Sequence, residues 1–314
     1  MGFGPKLFQF HKKETQYTLR LIPLGGYCMM LSEDDEENEN DENSFEKKSI
    51  WARMAVVLAG PAMNFVIAFL FSMVIIHFCG SDPAIIGAVY NKDNIEKYQI
   101  ENAEEYFNGV YPAEEAGISD GDQVLKIEGS TVKNFRELQI YLQIYGDGSP
   151  IDLTLEKEDG TVYDTTVHPA KTPDGYKIGI MSVGYQLPKN FGELCKYSAY
   201  ETRYWVKATF LSLKLIVTRQ VSSDEVSGPV GVAKNMNDTF NEAAKSSVLD
   251  LFLNWMNYIV LLSANLGVMN LLPIPGLDGG RFIFLLIEAV TRKKVPKDKE
   301  NIVTLIGFVL VMLL

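Results

Sequence analysis

The chain has 314 residues, with 40 Asp+Glu against 29 Lys+Arg and a formal net charge of -11, a balance that argues against nucleic acid as a partner. Its 3 cysteines, Cys28, Cys79 and Cys195, are scattered and odd in number, so they indicate neither a disulfide framework nor a thiolate metal site. Met1 to Gln16 holds no apolar core of the length that a cleavable signal peptide requires.

Residues 1–31 begin with the turn formers Gly2-Phe-Gly-Pro5. Thr15 to Leu24 is rich in strand-favouring residues, and Gly25-Gly26 can turn the chain before Tyr27 to Leu31, so a short hairpin-like sheet is predicted. Residues 32–50 carry the acidic run Glu33 to Glu46, which repels itself and is predicted to be a solvated, disordered loop without chemistry. Lys47, Lys48, Trp51 and Arg53 have the composition of a cytoplasmic membrane boundary. Met54 to Cys79 is nearly uncharged and exceeds the about 20 apolar residues a transmembrane helix needs, so 51–80 is predicted to cross a bilayer. Within it, Ala59-Gly-Pro-Ala-Met-Asn64 offers small residues that let a neighbouring helix come close. Asn64 either packs against such a neighbour or supports a site.

From 81 to 171 the chain turns soluble in character. Pro112 to Asp122 reads as a helical turn and a glycine-bounded loop, and Gln123 to Gly129 as a strand running into a turn. Phe135 to Tyr145 has helical spacing, while Ile151 to Leu155 and Val162 to Val167 alternate like strands around Glu158-Asp-Gly160. A strand and helix module of this size resembles a PDZ domain, a family that binds extended peptides at a sheet edge. Asn91 to Tyr111 departs from the compact pattern as an insertion near that edge. Residues 172–247 form a linker in which Phe191 to Val217, with Tyr197, Tyr200, Tyr204, Trp205, Lys207 and Lys214, reads as an interfacial amphipathic helix. Ser227-Gly-Pro-Val-Gly231 breaks the chain before Val232 to Ala244.

A second apolar helix with a broken motif occupies 248–290. Asn254, Asn257 and Asn265 fall within about 80° of one another on a helix, one polar stripe that marks an inward face. Asn270-Leu-Leu-Pro-Ile-Pro-Gly-Leu-Asp-Gly-Gly280 follows. Pro273 and Pro275 remove backbone donors and, with Gly276, Gly279 and Gly280, interrupt the helix around Asp278. A carboxylate at membrane depth costs roughly 2.5 to 3.5 kcal/mol on insertion scales, so it normally faces a protein interior and has a function; broken backbone at that depth must be buried or line a cavity. Residues 291–314 hold a second basic loop, Thr291 to Lys299, and an apolar run, Ile302 to Leu314, whose 13 residues rise only roughly 20 Å as helix. With both basic segments on the cytoplasmic side, the 81–171 module is predicted to be extracytoplasmic.

Taken together, Gly2-Phe-Gly-Pro with Leu21-Ile-Pro-Leu-Gly-Gly-Tyr27, the Ala59 to Asn64 segment, the PDZ-like insert and the Asn270 to Gly280 motif resemble the site-2 protease family (M50) of intramembrane zinc metalloproteases, in its bacterial RseP-like branch. The resemblance implies a polytopic α-helical membrane protein with a β-hairpin-like membrane-associated loop and an inserted α+β PDZ-like domain, located in the bacterial cytoplasmic membrane. It implies cleavage of a transmembrane segment of a membrane-protein substrate, with Zn2+ held by two histidines and an aspartate, the aspartate matching Asp278. Asn64, Asn270, Pro273, Pro275 and Gly279 are the expected substrate-binding or supporting positions, and the PDZ-like module is a possible binder of peptide. The family's H-E-x-x-H helix has no counterpart: His11, His77 and His168 are the only histidines, and none has that spacing. The expectation is that the given chain lacks the first span and ends inside the last, and that alone it does not cut. The alternative is an inactive, membrane-bound peptide-binding paralogue; a transporter built on broken helices has no internal repeat to support it.

Overall fold

Helical spacing and alternation resolve into β1 (Phe3–Lys12), β2 (Thr15–Ile22), a 3-10 turn at Phe45–Lys47, α1 (Ile50–Cys79), β3 (Ile86–Val89), α2 (Lys92–Tyr98), α3 (Pro112–Glu115), β4 (Gln123–Ile127), β5 (Ser130–Thr131) and α4 (Phe135–Ile144). The chain continues with β6 (Ile151–Glu156), β7 (Val162–Val167), β8 (Ala170–Thr172), β9 (Gly175–Lys177), β10 (Ile180–Ser182), α5 (Phe191–Val217), α6 (Pro229–Ser246), α7 (Val248–Leu271) and α8 (Asp278–Thr291). The structure, a computed structural model, describes residues 3–12, 15–22, 45–98, 107, 109–218, 229–293, 296, 300 and 302–307. The Gly25-Gly26 turn, the acidic run through residue 44, much of the Asn91 to Tyr111 insertion, Ser227-Gly228, most of Lys294 to Lys299 and the end of the last apolar run lie outside the described residues.

The chain divides into two units, residues 60–272 and residues 1–59 with 273–314. In the first, an antiparallel sheet of order β5-β4-β6-β7 carries the core of the strand-rich module. Ile151, Leu153 and Leu155 point inward from β6 while Asp152 faces out, and they meet Val124, Ile127, Leu138 and Val167 in one cluster. Glu128 and Gly129, both at positive φ (47 and 72), make the two-residue turn between β4 and β5. Strand pairing continues past residue 171: Ile180–Ser182 pairs with Ile86–Val89 in a second, two-stranded sheet, and Ser81 bridges to Gln186.

Helix α4 begins at Asn134, whose side chain accepts the Glu137 N–H at 2.8 Å, a cap that satisfies an otherwise orphaned donor. Charged pairs then bind it to α5. Arg136 meets Glu201 at 2.5 Å, Arg203 meets Glu137 at 2.7 Å, and Lys207 donates to the Thr131 carbonyl at 2.6 Å. A helix does run over Phe191 to Val217, and its Arg203 and Lys207 serve this docking. Farther along α5, Thr209 donates to Asn265 of α7, so one member of the asparagine stripe does face inward. Helix α6 lies on α7 through Phe240, stacked on Trp255 at 4.2 Å and edge-on to Tyr258 at 5.3 Å.

Two helices, α1 with 30 residues and α7 with 24, are long and apolar enough to cross a membrane. In α1 the helix runs on through Pro61, which is buried. Close approach depends on small residues: Ala68 of α1 packs with Val260 and Ala264 of α7, and a Cβ on Gly267 would come within 2.8 Å of the Phe65 ring.

In the second unit the hairpin β1–β2 pairs Phe10 with Tyr17 and Phe8 with Leu19. Phe10 stacks on Tyr17 at 4.9 Å, and Leu7, Phe8, Phe10, Tyr17, Leu19 and Leu21 are all exposed. Among the described residues β1 and β2 pair only with each other, and the apolar side chains of this hairpin are open to the surroundings.

Candidate functional site

The break between α7 and α8 forms as its residues require. Leu272 leaves the helix with φ -61 and ψ 143, a conformation enforced by the proline that follows. Pro273 and Pro275 cannot donate to a ladder, and Gly276 takes φ 97, which disfavours any side chain. The Leu277 N–H returns to the Ile274 carbonyl at 3.1 Å, closing a tight turn that aims the chain into α8.

Asp278 is the first residue of α8 and is half-buried. Its carboxylate sits in the first turn, where the helix dipole favours negative charge. Gly279 and Gly280 behind it are buried. A Cβ on Gly280 would collide with the Ile274 carbonyl and lie 2.8 Å from the Pro275 Cα, so the turn presses directly on α8. Gly307, in the helical residues 302–307, closes on the Pro275 carbonyl in the same way.

Farther down α8, Glu288 takes an ion pair from Arg53 of α1 at 2.5 Å, with side-chain exposures of 17% and 9%. Arg292 then ends the helix in the left-handed region, φ 55, its N–H on the Glu288 carbonyl. Reading Arg53 from sequence as a membrane-boundary cation overlooked this pair; the available signal was Glu288 itself, the one acid between Arg281 and Thr291 in an otherwise apolar helix.

Of the expected site residues, Pro273, Pro275, Asp278 and Gly279 share this break. Asn64, half-buried on α1, and Asn270, half-buried at the end of α7, belong to the unit of residues 60–272. His11 stands on β1, His77 in the last turn of α1 with its ring edge-on to Phe78 at 5.0 Å, and His168 just past β7; all three are exposed. Among the described residues no three side chains of His, Cys, Asp or Glu gather as a metal site.

The sequence profile of peptidase family M50 matches residues 1–314. A candidate zinc metalloprotease of Clostridium acetobutylicum is 35% identical over 100% of this chain and 84% of its own length. The zinc metalloprotease RasP of Geobacillus kaustophilus is 30% identical over 100% of this chain and 87% of its own length. The regulator of sigma-W protease RasP of Bacillus subtilis is 27% identical, again over 100% of this chain and 87% of its own. With the profile covering every residue from the hairpin through the Asp278 break, the chain belongs to peptidase family M50.

Proposed function

We infer that this protein is a membrane-embedded zinc metalloendopeptidase that cuts a transmembrane segment of another membrane protein. The observation that carries the reading is Asp278, a carboxylate at the start of α8 behind a proline and glycine break, in a chain of the M50 family. An anionic oxygen donor on a helix start, set by buried backbone, is a suitable single ligand for Zn2+. The described residues do not assemble the rest of a zinc site around it. Asp278 therefore supplies one donor of a set that these residues leave incomplete, and Asn64 and Asn270 are supporting positions.

A helix hides its peptide bonds in its own hydrogen bonds, so a substrate span has to be unwound before it is cut. The hairpin β1–β2 is suited to receive the unwound segment, because its exposed apolar face with Phe8, Phe10, Tyr17 and Leu19 can take the side chains of an extended strand. The module from Ser81 to Gln186, with its four-stranded sheet and α4, fits a PDZ-like fold on the extracytoplasmic side. The Bacillus subtilis relative, named a regulator of sigma-W, supports a regulatory membrane protein as the class of substrate.

The test is a single-span reporter in cells that produce the protein from its own genomic locus. Asp278→Asn should abolish cleavage at unchanged protein level, and undiminished cleavage removes Asp278 from the ligand set. The incomplete donor set favours one second reading, a membrane-bound peptide-binding module without protease activity. That reading expects the unsubstituted protein to leave the reporter intact and still to capture peptide on the Ser81 to Gln186 module.

A further inference from the structure

Two backbone hydrogen bonds determine what lies at the end of α1. Ser81, two residues past Cys79, donates to the Gln186 carbonyl at 2.9 Å and accepts from the Gln186 N–H at 2.8 Å. Gly80 turns the chain at φ 83, and a Cβ there would meet the Gln186 carbonyl at 2.7 Å. The strand leaving the module is thus clamped to the last turn of α1. The start of α7 lies at the same level, because Cys79, Tyr185 and Asp250 line one cavity of about 500 Å3.

The side chains around this clamp are those that water does not favour. Val183, Tyr185, Leu187 and Phe191 are 42%, 65%, 63% and 71% exposed, and Val248 at the head of α7 is 85% exposed. Lys189 stands exposed among them, and Lys196 reaches over the rings of Tyr197 and Tyr200 on the first turns of α5. Apolar and aromatic bodies interleaved with lysines that can extend outward are the composition of a bilayer's interfacial layer.

We propose that residues 183–191, with the first turns of α5, are seated in the lipid headgroup layer, so that the strand-rich module rests on the membrane beside α1. The inference rests on the reading of α1 as a span. Its occupant is a lipid surface, because the Ser81–Gln186 clamp sets the depth of the patch to that of the helix end. The lysines meet headgroup phosphates there, and Tyr185, Leu187 and Phe191 replace lipid contacts with their own.

The test uses nitroxide labels on the full protein in phosphatidylethanolamine and phosphatidylglycerol vesicles, with Cys28, Cys79 and Cys195 changed to serine. Labels at Leu187→Cys, Phe191→Cys and Tyr185→Cys are compared with one at Thr161→Cys, on the exposed turn before β7, and one at Met63→Cys in α1. Collisions with oxygen should exceed those with a water-soluble nickel chelate severalfold at positions 185, 187 and 191, with the opposite order at 161. Free access of the chelate at the three positions overturns the proposal. So does shielding from both reagents, which means that protein, such as a second copy, covers the patch. A chelate-accessible label at 63 instead overturns the spanning of α1, and the depth argument with it.

Discussion

Arg53 and Glu288 hold the first turns of α1 to the last turn of α8 by a 2.5 Å ion pair that is mostly shielded from solvent. Both charges are costly to bury, and each is tolerable only because the other is there. Removing one leaves the other unpaired in an apolar setting. Glu288→Ala should therefore lower stability by about 3 to 5 kcal/mol, whereas the double change Arg53→Met with Glu288→Leu should recover most of the loss. Thermal unfolding in detergent micelles measures both; equal losses for the single and double variants would show that packing, not charge, holds this contact.

Gly280 is where the turn presses on α8, since an added methyl would meet the Ile274 carbonyl. Gly280→Ala should force the break open, at a cost of about 1 to 3 kcal/mol, and displace Asp278 along with it. Reporter cleavage should fall by more than the amount of folded protein does. Matching declines would mean that the displacement never reaches Asp278.

Glu137 is 1% exposed, receives Arg203 at 2.7 Å and Lys207 at 3.7 Å, and also accepts the Lys133 N–H at 2.9 Å. Glu137→Ala removes the carboxylate facing Arg203 and Lys207, leaves them only the Thr131 carbonyl, and weakens the start of α4, a loss of about 3 kcal/mol. Amide hydrogen exchange should quicken across residues 131–145 and 200–208 together. Faster exchange in only one of the two stretches would separate the module's stability from its docking on α5.

Tyr163 donates to Asp122 at 2.6 Å, and burial, then this bond and the Asp122 charge, hold its phenol above the usual 10.0. A raised tyrosine pKa favours the neutral form in the folded state. Its contribution is fully present below the unfolded value and is lost as pH climbs from about 10 through the folded one. The protein should thus lose stability on the alkaline side over this window, and Tyr163→Phe should flatten that slope while being less stable at neutral pH. An unchanged alkaline slope in Tyr163→Phe assigns the loss to other groups.

Features written in local chemistry are legible in the sequence alone. The alternation of Ile151, Leu153 and Leu155, the cap at Asn134 and the break imposed by Pro273, Pro275 and Gly276 all depend on neighbours within a few residues. Non-local partners are not. The three-residue strand Ile180–Ser182 has no alternation long enough to read, and only pairing with Ile86–Val89, some ninety residues back, makes it a strand. Charges along α5 suggested an amphipathic surface, yet Arg203 and Lys207 are there for Glu137. The expectation for Asp278 comes from its setting among Pro273, Pro275 and Gly276, whereas Arg53 and Glu288 are ordinary letters until folding brings them together.

Helix α5 grips the strand-rich module through Glu201, Arg203 and Lys207 and, two residues further on, grips α7 through Thr209. Those attachments lie about 12 Å apart on one continuous rod, from Glu201 to Thr209. One continuous helix therefore ties the strand-rich module to α7, with no loop between the two attachments.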